Sequence, residues 1–195
     1  MIPFLGLTGG IGAGKSTALE ALERLGAATL STDRVVHDLY EDDEVKAAVT
    51  QRFGPSVAPD GVVDRPALAR LAFATPEDRG WLEQMLWPRV SARIVDWREE
   101  LEQASSPPRA AVVEVPLLFE SGMESVFDAT IAVVADEDVR AQRAGSRGHE
   151  ALAQRSRRQL SQQEKAERAT YVVSNDDSIG ALESKLSAVL DMLGP

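Results

Sequence analysis

The stretch GLTGGIGAGKST, residues 6–17, sets five glycines between an apolar run and a helical pattern. Gly9 is followed, after four residues, by Gly14, Lys15 and Ser16, which matches the phosphate-binding loop pattern GxxxxGK[ST]. Glycines allow the backbone to turn successive N–H groups toward one anion, and the start of a helix adds its dipole. The stretch therefore predicts a loop that binds phosphate groups of a nucleotide.

The two residues that follow Gly14 predict the chemistry at that loop. Lys15 supplies a positive charge for the β- and γ-phosphates of a bound nucleotide. The Ser16 hydroxyl is a typical ligand for the Mg²⁺ ion that accompanies a nucleotide.

The rest of the chain alternates between short apolar runs and helical patterns. Alternation of strands and helices predicts an α/β fold with a parallel sheet flanked by helices, of the P-loop NTPase type. Runs without polar alternation are typical of strands that are covered on both faces. The predicted strands are IPFLGLT (2–8), AATLS (27–31), RAAVVEV (109–115), ATIAVVA (129–135) and TYVVS (170–174).

A helical stretch interrupts this alternation, and it predicts a helical insertion in a single domain. Thr75 and Pro76 predict a capped helix start, and Pro88 predicts the start of another helix. Residues 139–167 carry the arginines of a short lid. The expected division is a core of residues 1–60, 104–138 and 168–195, a helical substrate-binding insertion of residues 61–103, and the lid.

Composition narrows the classes of function. The 195 residues carry a net charge of −10 and no cysteine, which argues against general nucleic-acid binding and excludes disulfides and thiolate metal sites. No segment reaches the length of apolar sequence that a membrane span needs. We therefore expect a cytoplasmic protein that binds neither nucleic acid nor membrane, and we expect a monomer.

Two carboxylates follow predicted strands and are candidate functional groups. Asp33 comes after the second strand, where it would accept the proton of an acceptor hydroxyl; the alternative is that it caps the next helix. Glu114 ends the strand RAAVVEV, where it would hold Mg²⁺ through water; the alternative is a structural acid. Glu120 is a weaker candidate at the same cleft.

Arginines gather between residues 139 and 168, where eight basic and three acidic residues give a balance of +5. Arg140, Arg143 and Arg147 recur at helical spacing. A lid of arginines over a triphosphate would neutralise charge in the transition state and exclude water. The alternative is a solvated helix face.

These features together resemble the dephospho-CoA kinase family over nearly the whole chain. The resemblance rests on GLTGGIGAGKS (6–16), Asp33 with His37, EVPLLFESG (114–122), Arg143 with Arg147, Arg155 with Gln159, and Asn175 after ATYVVS (169–174). It implies transfer of the γ-phosphate of ATP to the ribose 3′-hydroxyl of dephospho-coenzyme A, the last step of coenzyme A synthesis.

The resemblance also implies roles for individual residues. Asp33, Lys15 and Arg143 are expected to be catalytic, with Asp33 activating the acceptor hydroxyl. Ser16 and Glu114 stay the expected Mg²⁺ residues, on the grounds given above. The residues expected to bind ATP are Gly10, Ile11, Gly12, Ala13, Gly14, Lys15, Ser16, Thr17, Arg140, Arg147 and, near the adenine, Asn175.

The chain departs from the family pattern at three places. Ser31-Thr32-Asp33 stands where the family usually has an acid, a small residue and an acid, so only the second acid is kept. Trp87-Pro88 stands where the family has His-Pro, and tryptophan cannot take up a proton. The segment between Arg147 and Arg155 is about two residues shorter than usual, which bears on the geometry of the lid.

Two other classes of function stay open. Another small-molecule kinase would share the loop, the base and the lid, and would differ in the insertion that recognises the acceptor. A nucleotide switch or regulatory ATPase needs no acceptor site. For a GTP switch one expects an Asn-Lys-x-Asp element, which SNDDS (174–178) does not supply.

Overall fold

The structure, a computed structural model, describes residues 1–145 and 159–194. The chain forms two compact units, one made of Met1–Ser31 with Glu100–Pro195 and the other of Thr32–Glu99. Each unit contains its own hydrophobic cluster. No helix within the described ranges is both long enough and apolar enough to cross a membrane.

The first unit is built on a five-stranded parallel sheet. Its strands are β1 (Phe4–Gly9), β2 (Ala28–Ser31), β3 (Ala111–Glu114), β4 (Ala129–Val134) and β5 (Tyr171–Ser174). The spatial order is β2-β3-β1-β4-β5, with every pair parallel. Strands β1 and β3 are buried along their whole length, as continuous apolar runs predict. The predicted α/β fold with a parallel sheet is confirmed.

The helices follow the strands along the chain. They are α1 (Lys15–Arg24), α2 (Thr32–Leu39), α3 (Asp43–Phe53), α4 (Arg65–Ala72), α5 (Pro76–Glu102), α6 (Glu137–Gly145), α7 (Gln162–Arg168) and α8 (Ile179–Met192). Helices α1 and α8 share the core of the first unit, where Leu22 and Leu186 are fully buried in one cluster with Leu5 and Ile131.

Strand β1 lies at the point where the order of the sheet reverses. It pairs with β3 on one side and with β4 on the other, so that Leu7 is in register with both Glu114 and Ile131. Ligands of open parallel sheets bind at the carboxyl ends of the strands, at such a switch point. The loop after β1 therefore begins where this architecture favours a binding site.

The second unit is helical and contains α2, α3, α4 and most of α5. Its core joins Val45 and Val49 of α3 to Leu68 of α4 and to Leu82 and Leu86 of α5. This unit includes residues 61–99 of the expected insertion, together with α2 and α3, which the sequence pattern assigns to the core. The difference arises because the apolar face of α3 packs on α4 and α5.

Helix α5 is longer than its sequence suggests. The predicted cap at Thr75 is confirmed, since Asp78 N donates to Thr75 Oγ1 at 3.0 Å. The predicted new start at Pro88 is wrong, because Pro88 lies inside α5. Proline has no N–H and so removes one helical hydrogen bond. Nearby, the Arg89 guanidinium donates to the carbonyl of Met85 at 2.9 Å.

Candidate nucleotide-binding site

The loop between β1 and α1 has the backbone that the glycine pattern predicts. Gly12 has a φ of 79° and Gly14 a φ of 91°, which residues with a side chain rarely adopt. Ala13 N donates to Gly10 O at 3.2 Å and closes the turn. Gly14 then caps the start of α1 in the left-handed conformation. The first turn of α1 contains Lys15, Ser16 and Thr17, which are all predicted to bind ATP.

Three glycines of the loop also approach other parts of the first unit too closely for a side chain. A Cβ atom on Gly9 would overlap the carbonyl oxygen of Val133 in β4, and one on Gly12 would lie 2.6 Å from the carbonyl oxygen of Arg140. A Cβ atom on Gly14 would overlap the amide nitrogen of the Asn175 side chain. The loop is therefore packed against β4, α6 and the end of β5.

Asn175 fixes the loop from the end of β5. Its side chain is 5% exposed, and Nδ2 donates to the Ala13 carbonyl at 2.9 Å. Its backbone N–H donates to Val134 O at 2.8 Å, which holds the residue against β4. The resemblance implies a position near adenine; in the structure the side chain contacts the phosphate-binding loop.

Two of the predicted arginines lie beside the same loop, and both come from α6. Arg140 Nε donates to Ile11 O at 3.0 Å, and its Nη1 pairs with Glu137 at 2.7 Å. Arg143 Nη1 donates to the backbone carbonyl of Asn175 at 3.1 Å. The third predicted arginine, Arg147, lies outside the described residues, as do Arg155 and the rest of segment 146–158.

Lys15 is folded back over the loop. Its ammonium donates to Gly9 O at 3.1 Å and to Gly10 O at 3.5 Å. The neighbouring Ser16 is exposed in the first turn of α1, and Thr17 is half-buried. The exposed Ser16 hydroxyl can bind a metal ion, and the Lys15 ammonium beside the loop can donate to a phosphate group.

Glu114 ends β3 next to β1. Its carboxylate is buried, with 8% of the residue exposed, and accepts a hydrogen bond from Ser31 Oγ at 2.8 Å. Carboxylate and hydroxyl oxygens suit Mg²⁺, which takes few protein ligands and keeps several waters. In residues 1–145 and 159–194, no three His, Asp or Glu side chains gather at one metal site.

Asp33 belongs to the helical unit. It is the second residue of α2 and is exposed, so it does not occupy the capping position that was the alternative interpretation. One turn later, His37 Nδ1 lies 3.3 Å from Arg65 Nη1. Because the guanidinium can only donate, this contact requires an imidazole with a free lone pair on Nδ1.

The tryptophans of α5 have different environments. Trp81 packs edge-on against Phe53 with ring centroids 5.6 Å apart, so it belongs to the helical core. Trp87, where the resemblance leads one to expect a histidine, is 45% exposed. Trp97 is half-buried on the face that also contains Ile94.

The sequence missed one group beside the site. The sequence analysis counts Lys165 among the basic residues of the lid region. In the structure its side chain is fully buried and pairs with Glu120 at 3.0 Å. Glu120 is therefore partnered by an internal cation. The pattern gives no direct signal for this burial, because α7 is short and mostly polar, and only the capping pair Ser161 and Glu164 marks its start.

Comparison with known proteins agrees with these features. The family model described as dephospho-CoA kinase matches residues 3–181. The chain is 39% identical to the dephospho-CoA kinase of Deinococcus radiodurans over 97% of its own length and 91% of the relative's. A crystal structure from Thermus thermophilus superposes with a TM-score of 0.81 at 35% identity, covering 100% of this chain and 99% of the other.

A more distant structure shares the fold. The dephospho-CoA kinase of Campylobacter jejuni superposes with a TM-score of 0.64 at 23% identity, over 97% of this chain and 96% of its own. The family model over residues 3–181 and the relative at 39% identity establish the family. The chain belongs to the dephospho-CoA kinase family.

Proposed function

We propose that this protein transfers the γ-phosphoryl group of ATP to the ribose 3′-hydroxyl of dephospho-coenzyme A, giving coenzyme A and ADP. The observation that carries the proposal is the glycine loop, closed by Asn175 and flanked by Arg140 and Arg143, in a chain whose family model spans residues 3–181. A loop of this kind supplies the donors for a triphosphate, and the family supplies the acceptor.

Backbone amides of the loop and the N-terminus of α1 would bind the β- and γ-phosphates. Lys15 would exchange its bonds to Gly9 O and Gly10 O for phosphate oxygens. This exchange is favourable because an ammonium bonds more strongly to a charged oxygen than to a neutral carbonyl. The loop carbonyls thus hold the lysine in reach of the nucleotide before binding.

Arg143 would stabilise the charge that develops on the transferring group, and Arg140 and Arg147 would bind the other phosphates. The contact of Arg140 with Ile11 O and that of Arg143 with Asn175 O support this role, because they keep two guanidinium groups beside the loop. Positioned positive groups of this kind supply most of the catalysis in phosphoryl transfer.

Asp33 would take the proton of the acceptor. As the 3′-oxygen forms its bond to the γ-phosphorus, the bond from that phosphorus to the bridging oxygen breaks, and ADP leaves with the electron pair. The hydroxyl proton passes to the Asp33 carboxylate. The exposure of Asp33 in the first turn of α2 supports this assignment, because a base must reach its substrate.

Ser16 and Glu114 would hold Mg²⁺, Ser16 directly and Glu114 through water. When bound, the ion supplies positive charge to the β- and γ-phosphate oxygens. The bond from Ser31 Oγ to Glu114 supports the assignment, since it orients the carboxylate at the end of β3. We also propose that the protein acts in the cytoplasm, which its lack of cysteine favours, and that it acts as a monomer.

The test is ADP release, coupled to a reporter reaction, with ATP and each candidate acceptor in turn. Dephospho-coenzyme A should give turnover, whereas coenzyme A, which already carries the 3′-phosphate, should give none. Phosphorus NMR of the product should show a new 3′-phosphomonoester. Equal ADP release without any acceptor would identify an ATPase, and turnover with adenosine but not with dephospho-coenzyme A would identify a different small-molecule kinase.

A further inference from the structure

A buried ammonium lies next to the phosphate-binding loop and has no part in the mechanism described above. Lys165 is 0% exposed, and its three possible donors find three acceptors. Its Nζ lies 2.6 Å from Pro116 O, 3.0 Å from Glu120 Oε1 and 3.3 Å from Thr8 Oγ1. Burial lowers the pKa of Lys165, and Glu120 opposes that shift.

The acceptors of Lys165 come from the segments that carry the site. Thr8 is the residue before Gly9, where the phosphate-binding loop begins, and Pro116 follows Glu114 by two residues. Thr8 Oγ1 also donates to Pro116 O at 3.3 Å. One ammonium therefore joins the end of β1 to the turn after β3.

Glu120 extends the network toward the lid region. The same carboxylate oxygen that pairs with Lys165 accepts the backbone N–H of Leu160 at 2.8 Å. Its other oxygen is buried without a hydrogen-bond partner among the described residues. Leu160 lies just before α7, so the carboxylate ties the start of that helix to the turn after β3.

Replacing a buried ion pair by apolar residues of similar size often leaves the stability of a protein unchanged or raises it. Stability alone therefore does not explain why the chain has this pair. The three directional hydrogen bonds of Lys165 fix the spacing between α7, the end of β1 and the turn after β3. That spacing matters here, since the backbone of Gly9 is already too close to Val133 for any side chain. A small shift of β1 would move the amides that bind phosphate.

We propose that Lys165 and Glu120 are positioning residues, which set the geometry of the phosphate-binding loop and so its affinity for nucleotide without touching it. The inference rests on the proposed function for the identity of the reaction, but not for nucleotide binding. It predicts that loss of the pair lowers nucleotide affinity even where the fold is retained.

The main variants are Lys165→Met and the double variant Lys165→Met with Glu120→Gln. Lys165→Met removes the bonds to Thr8 and Pro116 and leaves a buried carboxylate without its cation, so both stability and nucleotide affinity should fall. The double variant removes the charge on Glu120 as well. It should regain stability relative to Lys165→Met, because no unpaired buried charge remains, but it should not regain affinity.

The matched control is Arg168→Met, which removes one positive charge from the same helix. Arg168 pairs with Glu124 at 2.6 Å and lies over the Phe119 ring, and neither of these contacts involves Thr8, Pro116 or Glu120. This variant should bind nucleotide as the unchanged protein does. It therefore separates the effect of the network from that of a lost charge on α7.

The measurements are calorimetric titration with MgADP, thermal denaturation, and steady-state kinetics with each substrate varied. The double variant should show a Kd for MgADP and a KM for ATP about 10-fold higher or more, with the KM for dephospho-coenzyme A within about twofold of the original value. If the double variant regains both stability and MgADP affinity, or if folded Lys165→Met binds MgADP normally, the pair is structural only and the proposal is overturned.

The MgADP titration does not involve the acceptor. Failure of the unchanged protein to phosphorylate dephospho-coenzyme A would therefore count against the proposed function, whereas unchanged MgADP binding in the folded variants counts against the positioning role.

Discussion

Replacing Gly14 by alanine tests whether the phosphate-binding loop depends on the contacts seen in the structure. Gly14 has φ and ψ of 91° and 34°, and its absent Cβ would overlap the side-chain nitrogen of Asn175. The substitution therefore introduces both a strained backbone and a clash with a buried hydrogen-bonded group.

The two costs can be worked out separately. Holding a residue with a side chain in the left-handed region costs about 1–2 kcal/mol. If Asn175 moves away, its buried bond to Ala13 O is lost, which costs about 1–3 kcal/mol. Gly14→Ala should thus lower the free energy of unfolding by roughly 2–5 kcal/mol and weaken binding of MgADP.

Gly122→Ala is the matched control. Gly122 also has a left-handed conformation, with φ and ψ of 70° and 20°, at the start of a short 3-10 helix, Met123–Val126, but a Cβ there meets no atom within 4 Å. Backbone strain alone should lower the free energy of unfolding of this variant by about 1–2 kcal/mol, and its affinity for MgADP should be unchanged. Urea denaturation followed by circular dichroism and calorimetric titration measure the two effects. Equal losses of stability in the two variants, with normal MgADP binding, would refute the reasoning.

Three further predictions concern the site and the helical unit. Lys15→Ala should lower kcat about 100-fold or more with an unchanged circular dichroism spectrum; near-normal turnover would contradict the role of the lysine. Asp33→Asn should keep the affinities for MgADP and dephospho-coenzyme A and lower kcat about 100-fold or more, and an intact kcat would show that the carboxylate is not the base. Hydrogen bonds from Thr75 and then Arg52 lower the pKa of Asp78, so its contribution to stability is complete above the ordinary aspartate value and is lost as the pH falls through the lower folded value. Unfolding followed by tryptophan fluorescence should show that acidification removes this contribution of Asp78 in the original chain and not in Asp78→Asn. Stability that falls equally with pH in both proteins would contradict the role of Asp78.

The sheet could be predicted from the sequence because its inner strands β1, β3 and β4 are buried almost throughout, and its edge strands β2 and β5 are also short runs rich in apolar residues. The run 129–135 contains β4, Ala129–Val134, and the run 170–174 contains β5, Tyr171–Ser174. The loop after β1 was predictable for a different reason, since its spacing of glycines and lysine is tied to a mechanism. Its contacts with α6 and Asn175 were not predictable, because they join residues far apart in the chain.

The misses also have physical causes. The sequence pattern at Pro88 is typical of a helix start, but α5 has buried apolar residues on both sides of it, Leu82 and Leu86 before it and Ile94 after it. Burial of Lys165 depends on three acceptors from other segments, and none of them is marked in its own helix. Local patterns carry information on neighbours in sequence, and both features are decided by neighbours in space.

The continuity of the helical unit has a consequence for synthesis of the chain. Residues 32–99 form a helical cluster from one uninterrupted stretch of chain. Strand β1, in contrast, cannot pair until β3 has been synthesised, because Phe4 is in register with Ala111. Helical units with local contacts fold faster than sheets whose partners are distant in sequence. The nascent polypeptide therefore leaves the ribosome with an unpaired, apolar first strand beside an already folded segment, and that interval is when aggregation or capture by a chaperone is most favoured.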